Sequence, residues 1–520
     1  VTFTRTMLQV AASDPDRLAL SGDGERLTYA GLVDEATRIR SGIEALLAQS
    51  TGSTGSSDSP IPIVAVSLSR AFDVGRFIAG LASFRAIVAV LDPLWPLSHR
   101  LETVRRVEPA LVITDEPELE RALDGLKPWH GSAVSLERFE AVAAAAPVSA
   151  GPEVRPRDEP YLLLFTSGTT DLPKGFLRTR GSWDVNVGVS RRSLFAEEGI
   201  QTIAPGPVSY SLTLYALVEV LATGGSLFLQ SRFDARDAVR SIEEHRIERF
   251  VGVPSMLLAL AAAARRDGGA GGSGAGGPLS SLRSVVTGGA NQSQRIRDLF
   301  TAAAPQARLR SYYGASEIGF IGYSDAGDGT RLTPFDGVEV SVRDDAGTPV
   351  PDGEIGTLHI RVASAVERYL AATSHERITG ADGWSSVSDL AALVDGAIVL
   401  AGRAGDIAVT GGHKVSLPQV ERALATVPGC EQCCAIALAD AALGSIVAVV
   451  VEGVRREDGG DAAAGVPAKA VMRDALRGLL PEQFVPRRYY RVDELPRTAG
   501  GKIRRVAVAE LVAAGSAERL

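Results

Sequence analysis

The 520-residue chain carries 54 Lys and Arg against 62 Asp and Glu, a formal net charge of −8, with 45% apolar and 22% charged residues. That length exceeds one ordinary core and predicts two or more domains with room for a sizeable pocket. The mildly acidic, mixed composition argues against nucleic acid or a membrane surface as partner. Apolar runs such as YLLLF (161–165) and IVAVV (446–450) are too short to cross a bilayer, and VTFTRTMLQVAASDPD at the N-terminus has no basic region followed by an apolar core, so a cytoplasmic location is expected.

In chain order, PIVAVSL (62–68) is followed by the amphipathic VGRFIAGLASF (74–84), then by AIVAVLD (86–92) and ALVITD (110–115). Beyond residue 220, SLFLQ (226–230), AVRSIEEH (238–245), ERFVGV (248–253) and SVVTGG (284–289) repeat the alternation. Short β-branched runs alternating with longer amphipathic segments predict parallel α/β layers. Gly- and Ser-rich tracts at 51–60, 267–278 and 457–467 read as surface loops, because the strand and helix patterns resume on both sides. A better boundary lies at AGRAGD (401–406), which divides the chain into a large domain, 1–401, and a small mixed one, 402–520. Cys430, Cys433 and Cys434 form one cluster without a second ligand pair and are expected to be small buried thiols.

Between the apolar run ending at Phe165 and a segment read as helical lies FTSGTTDLPKG (165–175). Hydroxyls, glycines and an ammonium in one loop are donors suited to a polyanion. The loop is not a Walker A motif, since Pro173 stands where that motif needs its second glycine and Gly175 where it needs a hydroxyl.

Four further segments follow in order: YGASEIG (313–319), SDLAAL (388–393), GRAGDIAVTGGHKVSLPQVE (402–421) and LPRTAGGKIRR (495–505), with weaker matches at LTYAGL (27–32) and LSSLRSVVTGGA (279–290). Together with the phosphate-type loop they strongly resemble the adenylate-forming superfamily of acyl-CoA synthetases, peptide-synthetase adenylation domains and luciferases. A free-standing acyl-CoA synthetase is the best match. The resemblance implies a large N-terminal domain of mixed and parallel sheets with helices, plus a small mobile α+β C-terminal domain. It implies a carboxylate attacking the α-phosphate of ATP, giving acyl-AMP and pyrophosphate, and then acyl transfer to a thiol.

By that resemblance Thr166, Ser167, Gly168, Thr169, Thr170 and Lys174 hold the β- and γ-phosphates, and Asp171, where the family usually has glycine, is expected to be solvated. Tyr313 packs on adenine, Gly289 and Ala290 also bind ATP, Ser316 lies near the α-phosphate and Glu317 holds Mg2+. Asp389 accepts the ribose hydroxyls and Arg403 reaches the same sugar. Lys502 swings in to contact the acid and the α-phosphate, Gly405 is the hinge, and Gly411, Gly412, His413 and Lys414 admit the thiol acceptor. That acceptor is CoA or the phosphopantetheine of a separate acyl carrier protein, since no carrier motif follows Leu520.

The acid pocket is expected from Tyr210, Ser211, Gly288 and Tyr312. PGPVSYSLTLYAL (205–217) has no acid where amino-acid-activating relatives carry an Asp, which disfavours an α-amino acid, because a buried ammonium needs a partner. Two phenols, Tyr210 and Tyr312, predict a small or short acid. A family member without catalysis and a luciferase-like oxidation are the competing readings. Lys174, Glu317, Asp389, Arg403 and Lys502 share no purpose without ATP, which argues against the first.

Overall fold

The computed structural model describes residues 3–51, 61–166, 172–267, 277–289, 292, 294–325, 331–403, 406–410, 413–440, 443–453, 465–498 and 503–520. The three Gly- and Ser-rich tracts fall largely outside these residues. The strands foreseen from 63 to 287 are present and pair in parallel. In one six-stranded sheet the order is Ser132–Ser135, Leu111–Thr114, Ile63–Ser67, Ile87–Val90, Pro160–Thr166, Lys174–Thr179. Its central strands IVAV and LVIT are buried at every position, as parallel strands covered on both faces must be.

A nine-stranded sheet runs through Gln201–Pro205, Ser226–Gln230, Arg249–Gly252, Ser284–Thr287 and Arg308–Ala315, with antiparallel strands at both edges. The helix Ser211–Thr223 is buried from Thr213 through Thr223, and Ala71–Leu81 is buried along its whole length. Helices buried all round belong between layers, and the charges they carry, Asp73, Arg76 and Glu219, are paired there. Residues of both sheets and both helices share one hydrophobic core.

A four-stranded antiparallel sheet follows, from Glu339–Arg343 to Ala397–Arg403. The chain then forms a separate sheet ordered His413–Ser416, Ile407–Thr410, Gly444–Glu452, Arg488–Val492, Glu518–Arg519, with Cys433–Asp440 paired to Gly444–Glu452. This sheet has its own cores on its two faces. The architecture is therefore a large mixed α/β N-terminal domain and a smaller C-terminal one.

One local expectation changes. The segment after FTSGTTDLPKG is not helical at once: Lys174–Thr179 is a strand, antiparallel to Pro160–Thr166, and the helix begins at Arg180. Phe176 and Arg178 point to the buried side, a period of two, and the Thr179 hydroxyl caps the helix by accepting from Ser182 N at 3.2 Å. The three thiols are all buried, and burial pushes those of Cys430 and Cys434 up to about 12. Among the described residues no helix is long and apolar enough to cross a membrane.

Candidate nucleotide and acid site

The antiparallel pair Pro160–Thr166 and Lys174–Thr179 brings Thr166 opposite Lys174, so the two ends of the hydroxyl-rich loop are cross-strand partners. Ser167, Gly168, Thr169, Thr170 and Asp171 lie outside the described residues. Lys174 Nζ sits 2.7 Å from Glu376 Oε1 and 5.4 Å from the centroid of the Tyr369 ring. The segment supplying both partners is fastened to the base of the loop. Leu370 N donates to Gly175 O at 2.6 Å, and Gly175 N to Thr373 Oγ1 at 2.9 Å.

Tyr369 also reaches the next motif. Its hydroxyl donates to Glu317 Oε1 at 2.7 Å. Glu317 is 8% exposed and stands in the turn between Arg308–Ala315 and Gly319–Ser324. The turn is braced from behind: Arg178, fully buried, donates to Ser364 O at 2.5 Å and to the Tyr215 hydroxyl at 3.0 Å, while Ser364 Oγ donates to Ile318 O at 2.7 Å. On the same turn the Ser316 hydroxyl is hydrogen-bonded to that of Ser211, the first residue of the helix Ser211–Thr223. Among the described residues no three His, Cys, Asp or Glu gather as a metal cage. A single buried carboxylate at the turn fits magnesium, which takes one or two protein carboxylates and completes its shell with phosphate and water.

The Tyr313 hydroxyl donates to Asp389 Oδ2. Asp389 opens the strand Asp389–Val394, and its cross-strand partner is Arg403, the last residue of Ala397–Arg403. Gly289 is exposed with φ 82°, and Ala290 lies outside the described residues. Gly288 has no room for a side chain, since a Cβ there would lie 2.6 Å from the Tyr312 ring. That ring also packs edge-on against Phe320 at 4.9 Å, and burial pushes its hydroxyl well above the usual phenol range.

Tyr210 is held by a buried carboxylate. Its hydroxyl bonds to Asp92, a carboxylate 3% exposed that also accepts from Leu94 N at 2.9 Å. Burial raises the Asp92 carboxyl above the ordinary range, against the lowering by these bonds and by Arg100. An acid therefore does lie beside Tyr210, supplied by the DPLWP tract and not by 205–217, and its described bonds turn it toward the protein.

In the small domain, His413 and Lys414 open the strand His413–Ser416, paired with Thr410 and Val409. Gly405, Gly411, Gly412 and Lys502 lie outside the described residues. The loop that carries Lys502 is closed at its base, where Arg497 and Ile503 form a bridge and Arg504 N donates to Pro496 O at 2.8 Å. Arg505 then donates to Asp406 Oδ1 at 2.7 Å, to Glu421 and to Ala435 O. Gly402 has φ +113°, and a Cβ there would meet Pro418 at 3.0 Å. Only glycine satisfies both demands at this junction.

The profile of the AMP-binding enzyme family matches residues 8–370. The chain belongs to that family. The AMP-binding enzyme C-terminal domain matches residues 419–502, and the two together place the chain in the adenylate-forming superfamily of acid–thiol ligases, which use ATP. Among curated relatives, this AMP-binding enzyme is 24% identical to the uncharacterized acyl-CoA ligase YhfT of Bacillus subtilis, over 98% of either chain. It is 30% identical to the medium/long-chain-fatty-acid–CoA ligase FadD8 of Mycobacterium tuberculosis, over 68% of this chain and 61% of that one. Its fold is that of the anthranilate CoA ligase AuaEII with anthranoyl-AMP bound, at TM-score 0.84 and 20% identity, covering 99% of this chain and 98% of that one.

Within this AMP-binding enzyme the geometry joins Lys174, Glu317, Ser316 and Ser211 through Tyr369 and the 316–318 turn, and joins Tyr313 to Asp389. Four residues in and around this network carried no sequence signal. Tyr369 and Glu376 stand in RYLAATSHE, which has the look of any polar turn, while Arg178 is a buried charge in the strand Lys174–Thr179 and Asp92 one in the tract after the strand Ile87–Val90.

Proposed function

We propose that this AMP-binding enzyme activates a small carboxylic acid lacking an α-ammonium as its acyl-adenylate, releasing pyrophosphate, and transfers the acyl group to CoA. The observation that supports the first step is the line of contacts from Lys174 through Tyr369 to Glu317, with Tyr313 on the same hairpin as Glu317 bonded in turn to Asp389. One cation, one shielded carboxylate and one ribose-type acceptor in that order match a nucleoside triphosphate laid along the site. In this reading Thr166, Ser167, Gly168, Thr169, Thr170 and Lys174 take the outer phosphates, Glu317 the magnesium ion, and Asp389 with Arg403 the ribose. Lys502 comes from the small domain, whose boundary we place between residues 401 and 402, to meet the acid and the α-phosphate. Charge on the transferring oxygens is thereby neutralised where it develops.

The acid follows from Tyr312. A phenol ring closed over Gly288 and packed on Phe320 occupies space that a long acyl chain would need. FadD8 is named for medium and long chains, and the ring argues for a shorter acid here than that name implies for the relative. Acid-dependent exchange of labelled pyrophosphate into ATP across a panel of acids is the test, followed by thioester detection with CoA and with a phosphopantetheinylated carrier. Short and aryl acids are expected to exchange and CoA to be acylated. Faster exchange with C12 to C16 fatty acids rejects the pocket argument, and acylation of the carrier alone rejects CoA.

A further inference from the structure

We propose that Tyr369 is a positioning residue of the nucleotide site, one side chain that fixes both the carboxylate meant for the metal and the ammonium meant for the phosphates. The proposal rests on the reading above, in which Glu317 takes magnesium and Lys174 the outer phosphates.

The two ends of Tyr369 serve groups of opposite charge. Its hydroxyl is a donor, 2.7 Å from Glu317 Oε1, and a donor on one carboxylate oxygen fixes the plane of the group without consuming its remaining lone pairs. Hydrogen bonds of this kind behind a metal ligand orient it toward the ion. The ring face, with its negative quadrupole, lies under the Lys174 ammonium at 5.4 Å, within the range where a cation is attracted.

Tyr369 is itself held in place. Its ring meets Phe176 edge-on at 6.4 Å, and the following residues clasp Gly175 through Leu370 N and Thr373 Oγ1. Phe176 and Gly175 belong to the strand that carries Lys174. The spacing between ammonium and carboxylate is thus set by a segment anchored to one of them and bonded to the other. Glu376 completes the arrangement. Its carboxylate, 65% exposed, occupies the ammonium at 2.7 Å, and so exposed a pair is weak enough for a phosphate to displace.

The test is equilibrium binding of ATP by titration calorimetry, with magnesium varied and with EDTA. Tyr369→Phe keeps the ring and removes the hydroxyl. The magnesium concentration that half-maximally tightens ATP binding is expected to rise about ten- to a hundredfold, with metal-free ATP affinity unchanged. Tyr369→Leu removes the ring as well and is expected to weaken metal-free binding too. Glu317→Gln is the control and should abolish the magnesium response. A normal magnesium response in Tyr369→Phe, when Glu317→Gln has lost it, overturns the positioning role. A normal response in Glu317→Gln overturns the assignment of the metal to Glu317, and this proposal with it. Melting midpoints near that of the parent show that the comparison is between folded proteins.

Discussion

Gly288 and Tyr312 are a pair in which one residue exists for the other. Gly288 is not held at positive φ, so an alanine there meets no backbone strain, only the ring 2.6 Å from its Cβ. The ring has Phe320 on another side and cannot retreat freely. Gly288→Ala is therefore expected to destabilise the protein by roughly 1–3 kcal/mol, the usual cost of overpacking. In Tyr312→Gly the same substitution should cost far less, because the obstacle is gone. Melting of the two single variants and the double variant measures this coupling, and strict additivity would show that Tyr312 is not what Gly288 accommodates.

At the scale of elements, the helix Ser211–Thr223 is fixed at its start by bonds from two distant segments: Tyr210 to Asp92 and Ser211 to Ser316. The Asp92 carboxyl is raised by burial, so the folded state favours its neutral form. Its contribution to stability is then fully present below the ordinary value of 3.8 and is lost as pH rises through the raised folded value. Asparagine does not titrate. The melting midpoint of Asp92→Asn relative to the parent should accordingly move upward between pH 3 and pH 8, and a pH-independent difference would exclude Asp92 as the titrating group. Asp92 also shows where sequence reading stops. Strands such as IVAV and LVIT were legible because continuous burial writes a continuous apolar run, while Thr166, Lys174, Ser316, Glu317 and Asp389 could be proposed from sequence because their motifs are local. Tyr369 and Glu376 were not, since their meaning lies in partners 52 and 202 residues away. The strand Lys174–Thr179 was missed because buried Arg178 and exposed-looking Thr179 hide its period of two.

For the whole molecule, the proposed function requires the small domain to deliver Lys502 for one half-reaction only. Lys502→Ala should abolish acyl-AMP formation, by on the order of a hundredfold or more, while thioester formation from supplied acyl-AMP is barely affected. Equal losses in both half-reactions would contradict domain alternation. The register of the strand pair that reaches across the proposed boundary bears on this directly. Asp389 stands opposite Arg403, where that strand ends, and Ile407 opens the first strand of the small domain, so only residues 404–406 intervene. Asp406, the last of these, is tied to Arg505 beyond the lysine loop. A sugar seated on Asp389 and Arg403 would sit on the axle of the moving part. Nucleotide occupancy and domain orientation then form a linked equilibrium, and linkage is reciprocal. A cross-link that froze the orientation favoured by ATP would tighten ATP binding, by a factor that measures how far ATP had biased the orientation of the free protein.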